Sequence, residues 1–234
     1  MGADYPRRRL PGGPISPMTL SPRNSAAIKT IFWDIGGVLL TNGWDKGQQQ
    51  RVLTRFGVDL ADYDARHDAA NFFWERGLSD ARTFFNKTVF HADAPTYNFS
   101  FEDLWTALCA ENNVLHKECF DILATLKSIG TYKLATLNNE SRELNAYRLD
   151  AFHLRPYFDY FICSGYVHEM KPHPGIYQAA IDISGFPADT SLFIDDKLEN
   201  CEAVTALGMQ AIRFESPAQL SNELAQLGVH AVYA

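Results

Sequence analysis

The sequence is short of positive charge, of cysteine and of long apolar runs, and each shortage closes off a class of function. Lys and Arg number 21 against 28 Asp and Glu, a formal net charge of −7 at pH 7. Such a chain lacks the basic surface that a nucleic-acid backbone demands, so nucleic acid is excluded as a main partner. A small phosphorylated ligand stays open, because it needs only a local positive site. The four cysteines, Cys109, Cys119, Cys163 and Cys201, form no CxxC and no zinc spacing. They read as buried reduced thiols of a cytoplasmic protein. No apolar run approaches the roughly 20 residues of a membrane span, and no internal repeat is visible. Arg7-Arg8-Arg9 is followed by a Pro-, Gly- and Ser-rich stretch from Leu10 to Asn24 and not by an apolar h-region. Residues 1–27 therefore read as a disordered tail and not as a signal peptide.

What is present suffices for a good core and a small second unit: 234 residues, 46% hydrophobic and 13% aromatic. The organising stretch runs from Ile31 to Leu40. An apolar run, Ile28 to Trp33, ends abruptly at Asp34, and Gly36 and Gly37 follow. The run is short, β-branched and aromatic, as a buried strand is. A strand that ends in Asp places a charge at the carboxyl edge of a sheet, where open α/β sheets bind ligands. The two glycines let the backbone turn and approach a ligand closely.

From Trp44 to about His116 the strand signal disappears and aromatics are dense. Helices are expected at Gln48–Phe56, Asp68–Arg76, Ser79–Phe90 and Phe101–Glu111, a small helical unit of its own. Trp44, Phe72, Phe73 and Trp74 are expected in its core, and Arg51, Arg66 and Arg76 mostly in solvent. Strands and helices then alternate. A helix over Lys117–Ile129 precedes a strand over Tyr132–Leu137. A helix begins at Ser141, and a strand covers Phe158–Cys163. Pro174 opens a helix that ends near Gly185. Strands at Ser191–Ile194 and Gln210–Phe214 alternate with helices at Leu198–Leu207 and Pro217–Leu227. Such alternation means βαβ units and a doubly wound parallel α/β sheet. The expected organisation is a core of 28–43 and 117–234, with an inserted helical unit at 44–116.

In such a sheet the strand ends share one edge. That edge collects Asp34, then Asn138 and Asn139, then Glu169, Lys171 and Pro172, then Asp195 and Asp196. Two or three carboxylates at one edge repel one another without a cation and suit Mg²⁺. Lys171 beside them offers a counter-charge for a second anion, most simply phosphate.

Four motifs in order, Phe32-Trp33-Asp34-Ile35-Gly36-Gly37-Val38-Leu39, Leu137-Asn138-Asn139, Lys171-Pro172-His173-Pro174-Gly175-Ile176-Tyr177 and Phe193-Ile194-Asp195-Asp196-Lys197-Leu198-Glu199-Asn200, resemble the haloacid dehalogenase-like superfamily. The resemblance is to its branch with a helical cap inserted after the first strand. It covers the chain from Ile28 onward and implies a Rossmann-like core and a Mg²⁺-dependent phosphatase. By that resemblance Asp34 is the nucleophile and forms an aspartyl-phosphate. Asp34, the Gly36 carbonyl, Asp196 and, directly or through water, Asp195 hold Mg²⁺. Lys171 neutralises charge, and Asn138, Asn139 and loop amides such as that of Gly37 orient the phosphate.

Two positions depart from the pattern. Gly36 stands where most phosphatases of this superfamily carry a second Asp as general acid and base. Its loss favours substrates with good leaving groups, such as anomeric sugar phosphates, or a substitute acid such as His168 or Glu169, although loop residues of those types are usually just solvated. Asn138 replaces the usual Ser or Thr, and its amide can still donate to phosphate. Lys197 is expected to pair with a nearby carboxylate. Two further readings stand beside the phosphatase: a metal-free 2-haloacid dehalogenase, and a degenerate protein that binds a phosphorylated ligand or a partner. The aromatic-rich cap is as compatible with a homodimer interface as with a pocket.

Overall fold

Strand β1 (Thr30–Trp33) is buried along its whole length, the pattern of a strand covered on both faces. In the computed structural model, which describes residues 27–229, it lies at the centre of a five-stranded sheet. The others are β2 (Lys133–Asn138), β3 (Tyr160–Cys163), β4 (Ser191–Asp195) and β5 (Gln210–Arg213), in the order β3-β2-β1-β4-β5. All pairings are parallel. The expected parallel sheet is present, and the strands start or stop within one or two residues of their expected ends. The tail expected over 1–27 lies, but for its last residue, outside the described residues.

Helices α1 (Lys46–Arg55), α2 (Leu60–Trp74), α3 (Ala81–Thr88) and α4 (Phe101–Ala110) follow β1 in the chain. After them come α5 (Lys117–Ile129), α6 (Arg142–Ala151), α7 (Ser164–Val167), α8 (Pro174–Ser184), α9 (Leu198–Ala206) and α10 (Pro217–Gln226). The two-residue period of β1 sends Ile31 and Trp33 to one face and Phe32 to the other. Ile31 and Trp33 pack with Ile122 and Leu126 of α5, Leu149 of α6 and Leu220 of α10. Phe32 packs with Ile176 and Ala180 of α8 and Val204 of α9. Helices thus cover both faces of the sheet.

Helices α1 to α4 share a third cluster, with Leu53, Tyr63, Trp74, Phe84, Phe85 and Leu104 at its centre and Leu144 of α6 reaching into it. Trp74 stacks on Phe84 at 4.3 Å between ring centres. Two expectations change here. Helix α2 starts at Leu60, behind the Asp59 cap, eight residues before the expected start at Asp68. Asp62, Asp64, Arg66, His67 and Asp68 crowd its start, which hides the apolar stripe that marks most helices. Phe72 and Phe73 are 49% and 45% exposed instead of buried. The stripe that faces inward is Tyr63, Ala70 and Trp74, spaced by seven and four residues. At 100° per residue, three consecutive aromatics cannot share one face. Arg76 lies 4.8 Å above the exposed Phe72 ring and Lys87 lies 5.7 Å above Phe73.

A buried ion pair joins this layer to the sheet. Arg148 of α6 is 2% exposed. It pairs with Glu140, just beyond β2, and donates to the Thr41 carbonyl in the loop that leads from β1 into these helices, 2.5 Å away. Removing one partner of such a pair strands the other charge in the interior. Arg148→Met is therefore expected to cost about 3–5 kcal/mol, read by urea denaturation. Adding Glu140→Gln should recover part of that loss, because the stranded carboxylate is then gone.

Candidate active site

The register Trp33↔Ile194 carries β1 and β4 side by side to their carboxyl ends. The Asp34 amide continues that ladder by donating to the Ile194 carbonyl (2.9 Å). Asp34 therefore comes to lie beside Asp195 and Asp196, and one oxygen from each of the three falls within 4.8 Å of the others. Chain order explains the place. The chain builds β1, β2 and β3 outward on one side and then crosses over to β4, so the β1/β4 crevice is the switch point where open sheets bind ligands.

Lys171 enters from the other side. Its Nζ lies 2.7 Å from Asp195 Oδ2 and 3.0 Å from Asp34 Oδ2, with the side chain buried. Asn139 holds it there by a double hydrogen bond: the Lys171 amide donates to Asn139 Oδ1, and Asn139 Nδ2 donates to the Lys171 carbonyl, each at 2.8 Å. Three carboxylates and one ammonium leave this corner with an excess of two negative charges. Burial pushes the Asp34 carboxyl well above its usual range; Asp195 and Asp196 add to this, and Lys171 pulls the other way. Burial and then Asp195 raise Asp196 in the same direction. Burial alone would lower Lys171, but Asp34 and Asp195 outweigh it and hold it charged.

The two adjacent aspartates differ in what already surrounds them. Asp195 is fully buried and accepts from Lys171 Nζ (2.7 Å), the Lys197 amide (2.8 Å) and Asn200 Nδ2 (2.9 and 3.0 Å). Its lone pairs are filled. Asp196 Oδ1 is buried with no partner. A side chain on Gly37 would bring its Cβ within 2.5 Å of Asp196 Oδ2, and the Gly37 backbone has φ +76°. Asp196 is thus pressed against the glycine turn, with a buried oxygen left unpartnered near Asp34 and Asp195. The donor set of Asp34, Asp196 and the adjoining loop, all hard oxygens around a net negative charge, fits a divalent cation.

Not every residue expected at the site turns toward it. Asn138 is 2% exposed, and its Nδ2 donates to Asn145 Oδ1 (3.1 Å) within the body of the protein. The Gly37 amide donates to the Leu40 carbonyl (2.8 Å), which closes the loop and uses the N–H that was expected to face phosphate. The Asn139 side chain is engaged by the Lys171 backbone. His168 is exposed, with Nδ1 on the Arg76 carbonyl (2.6 Å). Glu169 lies 2.9 Å from His173 and 3.6 Å from Arg76. Lys197 makes no ion pair among the described residues, because the Asp195 carboxylate beside it is taken by Lys171 and Asn200.

A cavity of about 230 Å³ opens over Asp34 and Lys171. Its wall includes Asn42, Trp44 and Asp45 from the inserted segment, Glu75 from the end of α2, and Glu140. Glu140, whose carboxyl burial pushes up to about 7, follows Asn139 at the end of β2, so the strand-end rule was able to find it. Glu75 had no such signal, since it lies 41 positions from Asp34 along the sequence and reaches the cavity only through the packing of α2. That packing is tight. Ser164 Oγ donates to the Glu75 carbonyl (2.7 Å), and Arg76 Nε donates to the His168 carbonyl (2.7 Å). A Cβ on Gly77 would sit 1.9 Å from the Gly165 carbonyl oxygen, so only glycine allows this approach.

Residues 28–208 match the haloacid dehalogenase-like hydrolases, and the chain belongs to that family. A segment of 81 residues is 28% identical to flavin mononucleotide hydrolase 1 of Arabidopsis thaliana, covering 35% of this chain and 33% of that protein. The matched stretch thus spans one third of the length of this relative. Among solved structures, a HAD family enzyme of Bacteroides thetaiotaomicron superposes with a TM-score of 0.73 at 21% identity, over 85% of this chain and 99% of the other. The same bacterial enzyme, crystallised with magnesium and inorganic phosphate, superposes at 0.69 with 20% identity, over 81% and 95% of the two chains. An L-2-haloacid dehalogenase superposes at 0.55 with 18% identity, over 79% and 83%. At these identities the likeness is one of fold.

The contact between Gly37 and Asp196 yields a direct test. Gly37→Ala must adopt a left-handed backbone, at about 1–2 kcal/mol, and must push the Asp196 carboxylate aside. The variant is expected to fold with a lower melting temperature. It should also lose most of the stabilisation that a divalent cation gives the parent, as read by thermal melts with and without the cation.

Proposed function

We propose that the chain is a Mg²⁺-dependent phosphohydrolase acting on a small phosphorylated metabolite through an aspartyl-phosphate. The observation that carries this reading is the corner of Asp34, Asp195 and Asp196, in which Lys171 forms the ion pairs among the described residues. It is two positive charges short, and a divalent cation supplies two. The magnesium and phosphate bound by the Bacteroides enzyme of the same fold, and the activity named for the Arabidopsis relative, support it.

In this reading Asp34, the Gly36 carbonyl and Asp196 hold the cation, and Asp195 keeps Lys171 and Lys197 in place beneath them. A cation held there would lower the repulsion between an incoming phosphate and the carboxylates and offset charge in the in-line transition state. Asp34 attacks phosphorus through its carboxylate, which the Ile35 amide orients at Oδ1 (2.8 Å). Lys171 Nζ stands 3.0 Å from the nucleophile and offsets charge on both carboxylate and phosphoryl group. Asn139 acts through Lys171, whose backbone it clasps, instead of through the phosphate. Helices α1 to α4 serve as a cap, closing the cavity and limiting water. With about 230 Å³ and a largely polar wall, the closed site suits a small polar phosphate ester.

The dehalogenase reading shares the fold but not the electrostatics. A 2-haloacid is itself a carboxylate, and three carboxylates set against one lysine repel it. Hydrolysis of p-nitrophenyl phosphate separates the two readings. Turnover is expected with Mg²⁺, is expected to vanish with EDTA, and is expected to fall below detection in Asp34→Asn. Turnover of 2-chloropropionate that persists in EDTA, with no phosphatase activity, would overturn the phosphohydrolase reading.

A further inference from the structure

The mechanism above leaves the departing oxygen without a proton donor. Gly36 carries no acid, and its neighbourhood is already filled: a Cβ there meets Asn42 Oδ1 at 3.0 Å and Asn42 Cα at 3.6 Å. Asn42 is an amide and has no acidic proton to give. Outside the aspartate cluster, the acids on the cavity wall are Asp45, Glu75, Glu140 and Glu199. Asp45 caps α1, its Oδ1 accepting from the Gln48 amide. Glu140 is locked to Arg148. Glu199 is exposed in the first turn of α9. Glu75 remains. It is half-buried, its side chain is hydrogen-bonded to Asn71 one turn back on α2, and it forms no ion pair among the described residues.

We propose that Glu75 is the general acid of the reaction, supplied by the inserted helices in place of the acid missing at Gly36. The proposal rests on the phosphohydrolase reading. As Asp34 bonds to phosphorus, the bond from phosphorus to the leaving oxygen breaks. Its electron pair stays on that oxygen, which takes the proton of the Glu75 carboxyl group. The Glu75 carboxylate regains a proton from the water that later attacks the acyl phosphate, and that step releases inorganic phosphate and the Asp34 carboxylate.

The position of Glu75 is fixed although it belongs to a different layer from Asp34. Ser164 holds its carbonyl, the Arg76–His168 hydrogen bonds flank it, and Gly77 rests on the Gly165 carbonyl. Burial holds its carboxyl above the usual range, against the Asn71 hydrogen bond and the charge of Lys197 at the start of α9. A carboxyl in this setting keeps its proton at higher pH than a solvated one, which suits an acid. The acid is present only when α2 is docked on the core, so closure completes the catalytic set.

The test compares kcat/KM for two esters at saturating Mg²⁺, because kcat/KM covers the steps up to departure of the leaving group. Nitrophenolate leaves p-nitrophenyl phosphate without a proton, whereas the alkoxide of glycerol 2-phosphate needs one. Glu75→Gln keeps the size of the side chain and a partner for Asn71. Its ratio of glycerol 2-phosphate to p-nitrophenyl phosphate hydrolysis is expected to fall by about 10²-fold or more, a ratio that does not depend on the fraction of folded protein. An equal loss on both esters, or no loss on either, overturns the assignment. Wild-type protein that hydrolyses p-nitrophenyl phosphate alone also overturns it, while leaving the phosphohydrolase reading intact. Wild-type protein that hydrolyses neither ester removes that reading and this proposal with it.

Discussion

Crowding of like charge at the carboxyl edge of the sheet is the constraint from which the rest of this structure follows. Asp34 and Asp195 are brought together by the β1–β4 ladder, and Asp196 follows one residue later. Burial disfavours the charged forms of Asp34 and Asp196. One lysine does not balance three carboxylates. The corner persists because the surrounding fold over-determines it: the Asn139 clasp on Lys171, the Asn200 and Lys197 donors on Asp195, and the Gly37 turn under Asp196. Uncompensated charge of this kind opposes folding and suits a site that a cation completes.

The interior of the sheet bears that cost. The five parallel strands are covered by helices on both faces, and the central strand has no exposed residue. Two hydrophobic layers meet at β1, and the strands stop together at one edge. The charged groups of the site are placed at that edge, beyond or at the last residue of each strand. The four cysteines are free and buried among these layers, and burial raises their thiols to about 12, which leaves them unreactive.

Helices α1 to α4 share a hydrophobic cluster that takes in Leu144 and Tyr147 of α6, and polar groups and glycine add further contacts to the core. Arg148 reaches the Thr41 carbonyl, Glu143 accepts from Trp74 Nε1 and the Ala81 amide at 3.3 Å each, and Gly77 lies on Gly165. The clusters of the helices and of the sheet thus meet at α6, which gives Leu144 to one and Leu149 to the other. Such a contact also brings residues of the inserted segment, Trp44 and Glu75 among them, to the wall of a cavity whose floor belongs to the sheet.

The sequence by itself determined the parallel α/β core and the strand ends, because a strand buried on both faces must be written as an unbroken apolar run, and a charge at its end is conspicuous. Asp34, Asp195, Asp196 and Lys171 were legible for that reason, and their order along the chain carried the family resemblance. Tertiary structure alone decided which groups point inward. Asn138 and Asn139 are neighbours on one strand end, yet one turns to Asn145 and the other grips the Lys171 backbone. Phe72, Phe73 and Trp74 are adjacent, yet only Trp74 is buried, since a helix turns 100° per residue. Glu75 came to the cavity by the docking of one layer on another. No local pattern encodes that approach, because it depends on contacts between residues about ninety positions apart, such as Arg76 with His168 and Gly77 with Gly165.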